Sequence, residues 1–364
     1  MLKKLLLSIF CCVLLTGCSV SKSTKEITFS SWGSVSEVKI IKQLIYNFEK
    51  ENPDIKVNFM HIPQNYFQKI HLLFASNTAP DVIFINNLYL PLYEQHLEDL
   101  NSYIKKDDFY EVALDALSVN KKLLAIPRDL SNLIVYINTD LLPLPSSDWT
   151  IETLLNYMQK AKEKGLYGIG YEEDIYWSYP YLTYFGGGLF NNKNENIFLS
   201  PTTQKGLNFY KDLKNKYHYA PTKSQVGSST LAQMFINKQL AMYVSGRWMF
   251  PKIKESADFN WKVINFPYGK NPQYTDASGW AISKKSKNKE DAIKLVNFLS
   301  SKQSAEFFAK TGLIVPAQIE ASKLLDSNEY NQKLFLEVIE NTVKTPVSKD
   351  YKKTVDKFNS IYLK

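Results

Sequence analysis

Cysteine is nearly missing from this chain of 364 residues, and its three copies, Cys11, Cys12 and Cys18, all precede residue 19. The rest of the chain therefore has no disulfide framework, no cysteine metal cluster and no thiol nucleophile. Histidine is almost as scarce. His61, His71, His96 and His218 are never spaced as H-x-x-x-H or H-E-x-x-H, so no zinc site is expected. Arginine occurs only at Arg128 and Arg247, and neither lies in a basic run. The formal charge of +8 rests on scattered lysines, which read as a solvated surface, and no nucleic-acid module is visible. No G-x-x-x-x-G-K-[ST] loop and no G-x-S-x-G elbow occur. Gly186-Gly187-Gly188 lacks the spacing of a dinucleotide loop. A nucleotide, a bound cofactor and a hydrolase triad are all without an anchor.

The first residues carry the strongest positive signal. Lys3 and Lys4 precede an apolar run, Leu5 to Leu15, which is closed by Leu15-Thr16-Gly17-Cys18. A basic start, a short apolar core and a small residue before the cut make an export signal. The run is shorter than the ~20 apolar residues that span a bilayer. Its ending resembles a bacterial lipobox, in which cleavage falls before the cysteine and the thiol takes a diacylglyceryl group. Residues 1–17 are thus expected to be a signal peptide and 18–25 a lipidated, flexible tether that starts at Cys18. Loss of Lys3 and Lys4 leaves a charge of +6. The protein is expected outside the cytoplasm, held at a bacterial cell membrane by its lipid.

Beyond the tether the pattern alternates between periods of two and of about three and a half. Ile27 to Phe29 reads as a strand, and Val38, Ile41, Ile45 and Phe48 as a helix that Asn52-Pro53 ends. Ile55, Val57 and Phe59 form a strand, Tyr66 to Ser76 a helix, and Val82 to Ile85 a continuous apolar strand of the kind buried in parallel sheets. This order predicts a doubly wound α/β domain. A second α/β region follows, with strands at Leu133–Asn138, Gln239–Val244 and Gly279–Ser283. Helices are predicted after Ser200-Pro201 and over Asp291–Leu299.

Aromatic residues make up 14% of the chain and concentrate in Tyr176, Trp177, Tyr179, Tyr181, Tyr184 and Phe185. Such rings suit the apolar faces of sugars, and they also suit an ordinary core. Trp32, Trp248 and Trp280 sit beside Gly or Ser at loop–strand junctions, where doubly wound folds bind ligands, and Trp177 lies in the aromatic segment. Trp149 and Trp261 lack that setting and read as structural.

Several stretches recur in a characteristic order. They are Ala79-Pro80-Asp81-Val82-Ile83, Leu97 to Leu100, Ala125-Ile126-Pro127 through Asn138, and Phe185 to Phe190. Phe235 to Met242, Gly246-Arg247-Trp248, Gly279 to Ser283 and Gly312 to Pro316 complete the series. In this order the chain resembles the extracellular solute-binding proteins of ABC importers, the family that includes maltose and other sugar binders. The resemblance implies an α/β, type II periplasmic-binding-protein-like fold of two lobes, each a doubly wound sheet. It places lobe 1 at 26–130 plus 275–308 and lobe 2 at 131–274 plus 309–364. The partners implied are a carbohydrate or similar small solute, membrane permease subunits and the membrane itself, for a monomer that is not an enzyme.

Within the expected cleft, Trp32, Trp177, Tyr184, Trp248 and Trp280 are the predicted walls, beside Gly246 and Gly279. Asn65, Asn86, Asp129 and Arg247 are the predicted polar contacts. A glycerol phosphodiester or polyol is an alternative solute, although no basic phosphate cradle is visible. A secreted glycosidase using acids such as Glu172, Glu173 or Asp174, or a surface adhesin, are alternatives of another class.

Overall fold

The structure, a computed structural model, describes residues 25–363. The expected signal peptide 1–17, the expected lipidation site Cys18 and the expected tether up to residue 24 lie outside the described residues.

The chain opens with the alternation expected from its sequence. Strands β1 (Lys25–Ser31), β2 (Ile55–His61) and β3 (Val82–Asn86) pair in parallel, with β1 in the middle. The helices Val35–Glu51 and Tyr66–Ala75 connect them. The first helix starts where Ser34 and Glu37 form a capping box, each side chain satisfying the other's backbone N–H. It buries Ile40, Ile41, Leu44, Ile45 and Phe48 against the sheet. Each such side chain is worth about 1.5–3 kcal/mol when fully removed from water. A small hairpin, β4 (Ser118–Val119) and β5 (Lys122–Leu123), leads to β6 (Ile126–Ser131).

At Ser131 the chain leaves this sheet and starts a second one with β7 (Ile134–Asn138). β8 (Tyr167–Gly170), β9 (Leu240–Ser245) and β10 (Trp261–Ile264) complete it in the order β10-β7-β9-β8. It then returns as β11 (Gln273–Ile282), a long strand inserted antiparallel between β3 and β6. β12 (Val315–Pro316) adds to β6, and β13 (Thr342–Lys344) pairs beside the start of β11. The first sheet reads β12-β6-β11-β3-β1-β2 with β13 alongside.

This topology moves two expected boundaries. The first crossing falls at Ser131–Ile134, close to the predicted position. The second lies between Ile264 and Gln273, ahead of residue 275. The third is not near 308, because β12 and β13 both belong to the first sheet. After Thr345 the chain enters the second hydrophobic core, where the helix Tyr351–Tyr362 buries Tyr351 and Phe358. The intervening segment touches both lobes: Tyr330 stacks on Trp261 of β10 at 4.1 Å between ring centroids.

Candidate functional site

A cleft of about 630 Å³ opens between the two sheets. Its first wall comes from the loop after β1 (Trp32, Gly33, Ser34), the loop after β3 (Asn86 to Tyr89), the end of β6 (Arg128 to Ser131) and the first half of β11 (Asp276, Ser278). The second wall comes from Asp174 to Trp177, which follow β8, and from Arg247 to Met249, which follow β9. Tyr351 and Val355 of the final helix close one side. The lining thus collects at the carboxyl ends of β1, β3, β8 and β9, where helix-bound loops leave an open crevice.

Three tryptophan rings face this space half-buried, each braced from behind. Trp32 packs on Phe84 (4.2 Å) and edge-on to Tyr66 (4.9 Å). The Trp177 indole donates to the Val244 carbonyl at 3.2 Å and meets Tyr176 edge-on. Trp248 folds over Gly246 so closely that a Cβ there would lie 2.0 Å from its ring. Gly246 is therefore a seat for the tryptophan. Tyr89 stacks on Phe67 at 3.9 Å and touches Tyr351 edge-on, so one ring bridges both lobes.

Polar groups run between the rings. Asn86, Ser278 and Asp129 stand at matched register on the neighbouring strands β3, β11 and β6. Asn86 Oδ1 accepts from the Tyr89 N–H at 3.2 Å. Arg128 donates from Nε to Asp129 Oδ2 at 2.7 Å and reaches Glu37 at 3.4 Å. Its guanidinium lies 4.1 Å from the Phe84 centroid. Burial pushes the Asp129 carboxyl up from its ordinary value, and Arg128 opposes this. Asp174 caps the helix Ile175–Tyr184 through the Tyr176 N–H at 2.8 Å, and burial raises it too. Burial takes Asp276 up to about 6, opposed by hydrogen bonding from Asn87, Thr345 and Tyr176. Arg247 donates to the Gly312 carbonyl (2.8 Å) and to Gln332 (3.0 Å) over the Phe250 ring, and burial brings its guanidinium down to about 10.

Of the residues singled out in the sequence, the structure brings Trp32, Asn86, Asp129, Trp177, Arg247 and Trp248 to the cleft. Four picks are corrected. Trp280 is fully buried, wedged against Phe29 and Phe84 in the first core. Gly279 lies beneath β6, where a Cβ would come within 2.3 Å of the Ile126 carbonyl, so it serves strand packing. Asn65 is exposed in a left-handed turn (φ 54°) ahead of the helix Tyr66–Ala75 and does not line the cleft. Tyr184 ends its helix near Gly269, with its carbonyl accepting from Asn271, and does not line the cleft. Sequence reasoning missed Glu37, Tyr89, Asp276 and Tyr351. Tyr89 follows a predicted strand end, but the other three have no local signal.

Glu172 and Glu173 do not line the cleft, and Glu173 pairs with Lys214. Among the described residues no group of acids, histidines or cysteines is arranged to hold a metal ion, and no helix is long and apolar enough to cross a membrane.

Two α/β lobes joined by three crossings, with an aromatic and polar cleft between them, define a type II solute-binding protein. The chain belongs to the bacterial extracellular solute-binding protein family, whose model matches residues 32–306. It is similar to the galactooligosaccharide-binding protein of Bacillus subtilis (23% identical, 82% of this chain and 75% of that protein). It is also similar to the maltodextrin-binding protein MdxE of the same organism (26% identical, 88% and 81%). Among solved structures, the ABC substrate-binding protein Lmo0181 of Listeria monocytogenes, in complex with cycloalternan, superposes with a TM-score of 0.81. It is 28% identical, and the match covers 93% of this chain and 92% of that one. The maltotriose-bound maltotriose binding protein of Thermus thermophilus shares the fold at TM-score 0.76 and 22% identity, over 92% of each chain.

Proposed function

We propose that this protein is the solute-capturing subunit of an ABC importer and that its solute is an oligosaccharide. The observation that carries the reading is the cleft itself. Half-buried rings of Trp32, Trp177 and Trp248 stand on both walls, and the polar row Asn86, Ser278 and Asp129 lies between them. Rings cover the C–H faces of sugar units. Amides and carboxylates meet the hydroxyls, which cost about 1–3 kcal/mol each when buried unpaired. Of the two arginines in the cleft, Arg128 is paired with Asp129 and Glu37, and Arg247 is held by the Gly312 carbonyl and Gln332, which favours a neutral solute over an anionic one. The named ligands of the relatives, galactooligosaccharide, maltodextrin and cycloalternan, agree with this choice. Capture proceeds by closure of the lobes about the three crossings, and the closed form docks on the permease. In this reading the lipid on Cys18 keeps the protein beside its transporter.

A thermal-shift and calorimetric screen with maltodextrins, galactooligosaccharides and cycloalternan tests the proposal. A true ligand at 100 times its Kd stabilises the fold by about 2.7 kcal/mol. No response to any saccharide, with a response to a polyol or a glycerol phosphodiester, overturns the oligosaccharide assignment. For the anchor, Cys18→Ala is expected to remove the protein from the detergent phase, and unchanged partitioning would contradict lipidation.

A further inference from the structure

Asp276 stands where the segments joining the lobes converge. It lies on β11 just after the second crossing, paired in register with Ser131 at the first crossing. From the first lobe, Asn87 donates its amide to Asp276 Oδ1 at 2.9 Å and accepts from the Ala277 N–H at 3.1 Å. From the second lobe, Tyr176 borders the same small cavity as Asp276, and so does Thr345 of the third crossing, whose hydroxyl donates to the Thr275 carbonyl at 3.4 Å. Thr345 is fixed there by its N–H, which donates to the Thr275 carbonyl at 3.1 Å. Asp276 thus sits beside residues of both lobes and of all three crossings, and it also lines the cleft.

The other titratable groups facing it are phenols or acids. The helix Ile175–Tyr184 presents Tyr176 and Tyr179, with Asp174 at its start. The final helix presents Tyr351, and β11 itself presents Tyr274 beside Tyr179. No cation contributes to its surroundings.

We propose that Asp276 is a positioning residue that links lobe closure to proton uptake: its protonated form favours the closed lobes and tighter solute binding, its ionised form the open lobes. The proposal rests on the two-lobe capture reading and adds its regulation. In an open cleft, water reaches the carboxyl from the side it lines. Closure removes that water, and no cation stands against Asp276 to compensate, which an ionised carboxylate resists. The neutral acid does not resist, and its proton is donated to the oxygen of Tyr176 or Thr345 while the Asn87 bond persists. Burial already holds the group near neutrality, at about 6. Further burial on closure moves it higher still, so acid favours closure.

Two measurements on the protein at pH 5.5 and 7.5 test this. One is the radius of gyration without ligand, and the other is calorimetric affinity for maltotriose and for a galactooligosaccharide. The wild type is expected to be more compact at pH 5.5 and to bind at least threefold tighter there, with proton uptake on binding. Asp276→Asn keeps the same four histidines and is expected to lose both slopes, behaving at pH 7.5 like the acid form. Equal slopes in wild type and Asp276→Asn, or tighter binding at pH 7.5, overturn the proposal. If neither saccharide binds at either pH, the oligosaccharide reading falls, while the ligand-free scattering still decides the role of Asp276.

Discussion

Trp248 and Trp280 sit in similar local sequences, Gly-Arg-Trp and Ser-Gly-Trp, yet only the first reaches the cleft. The short strand expected at Gly279–Ser283 would have put Trp280 at a strand end. β11 begins instead at Gln273, so Trp280 lies in its interior, opposite Phe84 of β3. Because β11 runs antiparallel to β3, its cleft end is its beginning, where Asp276 and Ser278 are found. The direction of a strand is fixed by partners far away in the chain, so no local pattern reveals it. Trp280→Ala is expected to cost about 3–5 kcal/mol of stability in chemical denaturation. Trp248→Ala is expected to leave the melting temperature nearly unchanged and to weaken saccharide binding at least tenfold, about 1.4 kcal/mol. Asp276 gives a pH dependence of stability whose sign is set by its raised value. The native state binds more protons than the unfolded chain between the ordinary value of 3.8 and about 6, so stability falls as pH rises through that window. Unfolding at pH 5 is expected to need on the order of 1 kcal/mol more than at pH 7.5 from this group, and Asp276→Asn to abolish that difference.

At the level of elements, the early strands and helices were readable because β1 to β3 form a local parallel unit with clean periodicities. The helix after Ser200-Pro201 was readable from its cap, which accepts from the Thr203 N–H. The aromatic segment was harder. Its residues look like one wall in sequence, but the helix Ile175–Tyr184 distributes them around its axis. Tyr176 and Trp177 turn to the cleft, while Tyr179 and Tyr181 enter the second core. The position of that helix depends on Gly206 in the neighbouring helix Pro201–Asn215, where a Cβ would fall 2.8 Å from the Leu182 Cα. Gly206→Ala must push the two helices apart. It is expected to destabilise the fold by about 1–3 kcal/mol and to weaken saccharide binding without touching any cleft residue, as read by denaturation and calorimetry. β12 and β13, of two and three residues, carry no periodicity long enough to read, so the third crossing has no local signature.

For the whole molecule, three crossings at Ser131–Ile134, before Gln273 and after Thr345 make closure a bend of few backbone segments around two rigid sheets. Small-angle scattering is expected to show a smaller radius of gyration when a bound saccharide is present, and an unchanged radius with a confirmed tight ligand would refute the hinge. The insertion of β11 between β3 and β6 also orders events in time. A chain emerging amino end first presents β3 and β6 long before the strand that must lie between them has appeared. Until residue 282 is out, both carry unpaired edges, and such edges invite pairing with other chains. The fold is thus completed late and through distant contacts, which makes its formation slow. A chain cut anywhere before Gln273 is left with an open slot between β3 and β6 in its first sheet.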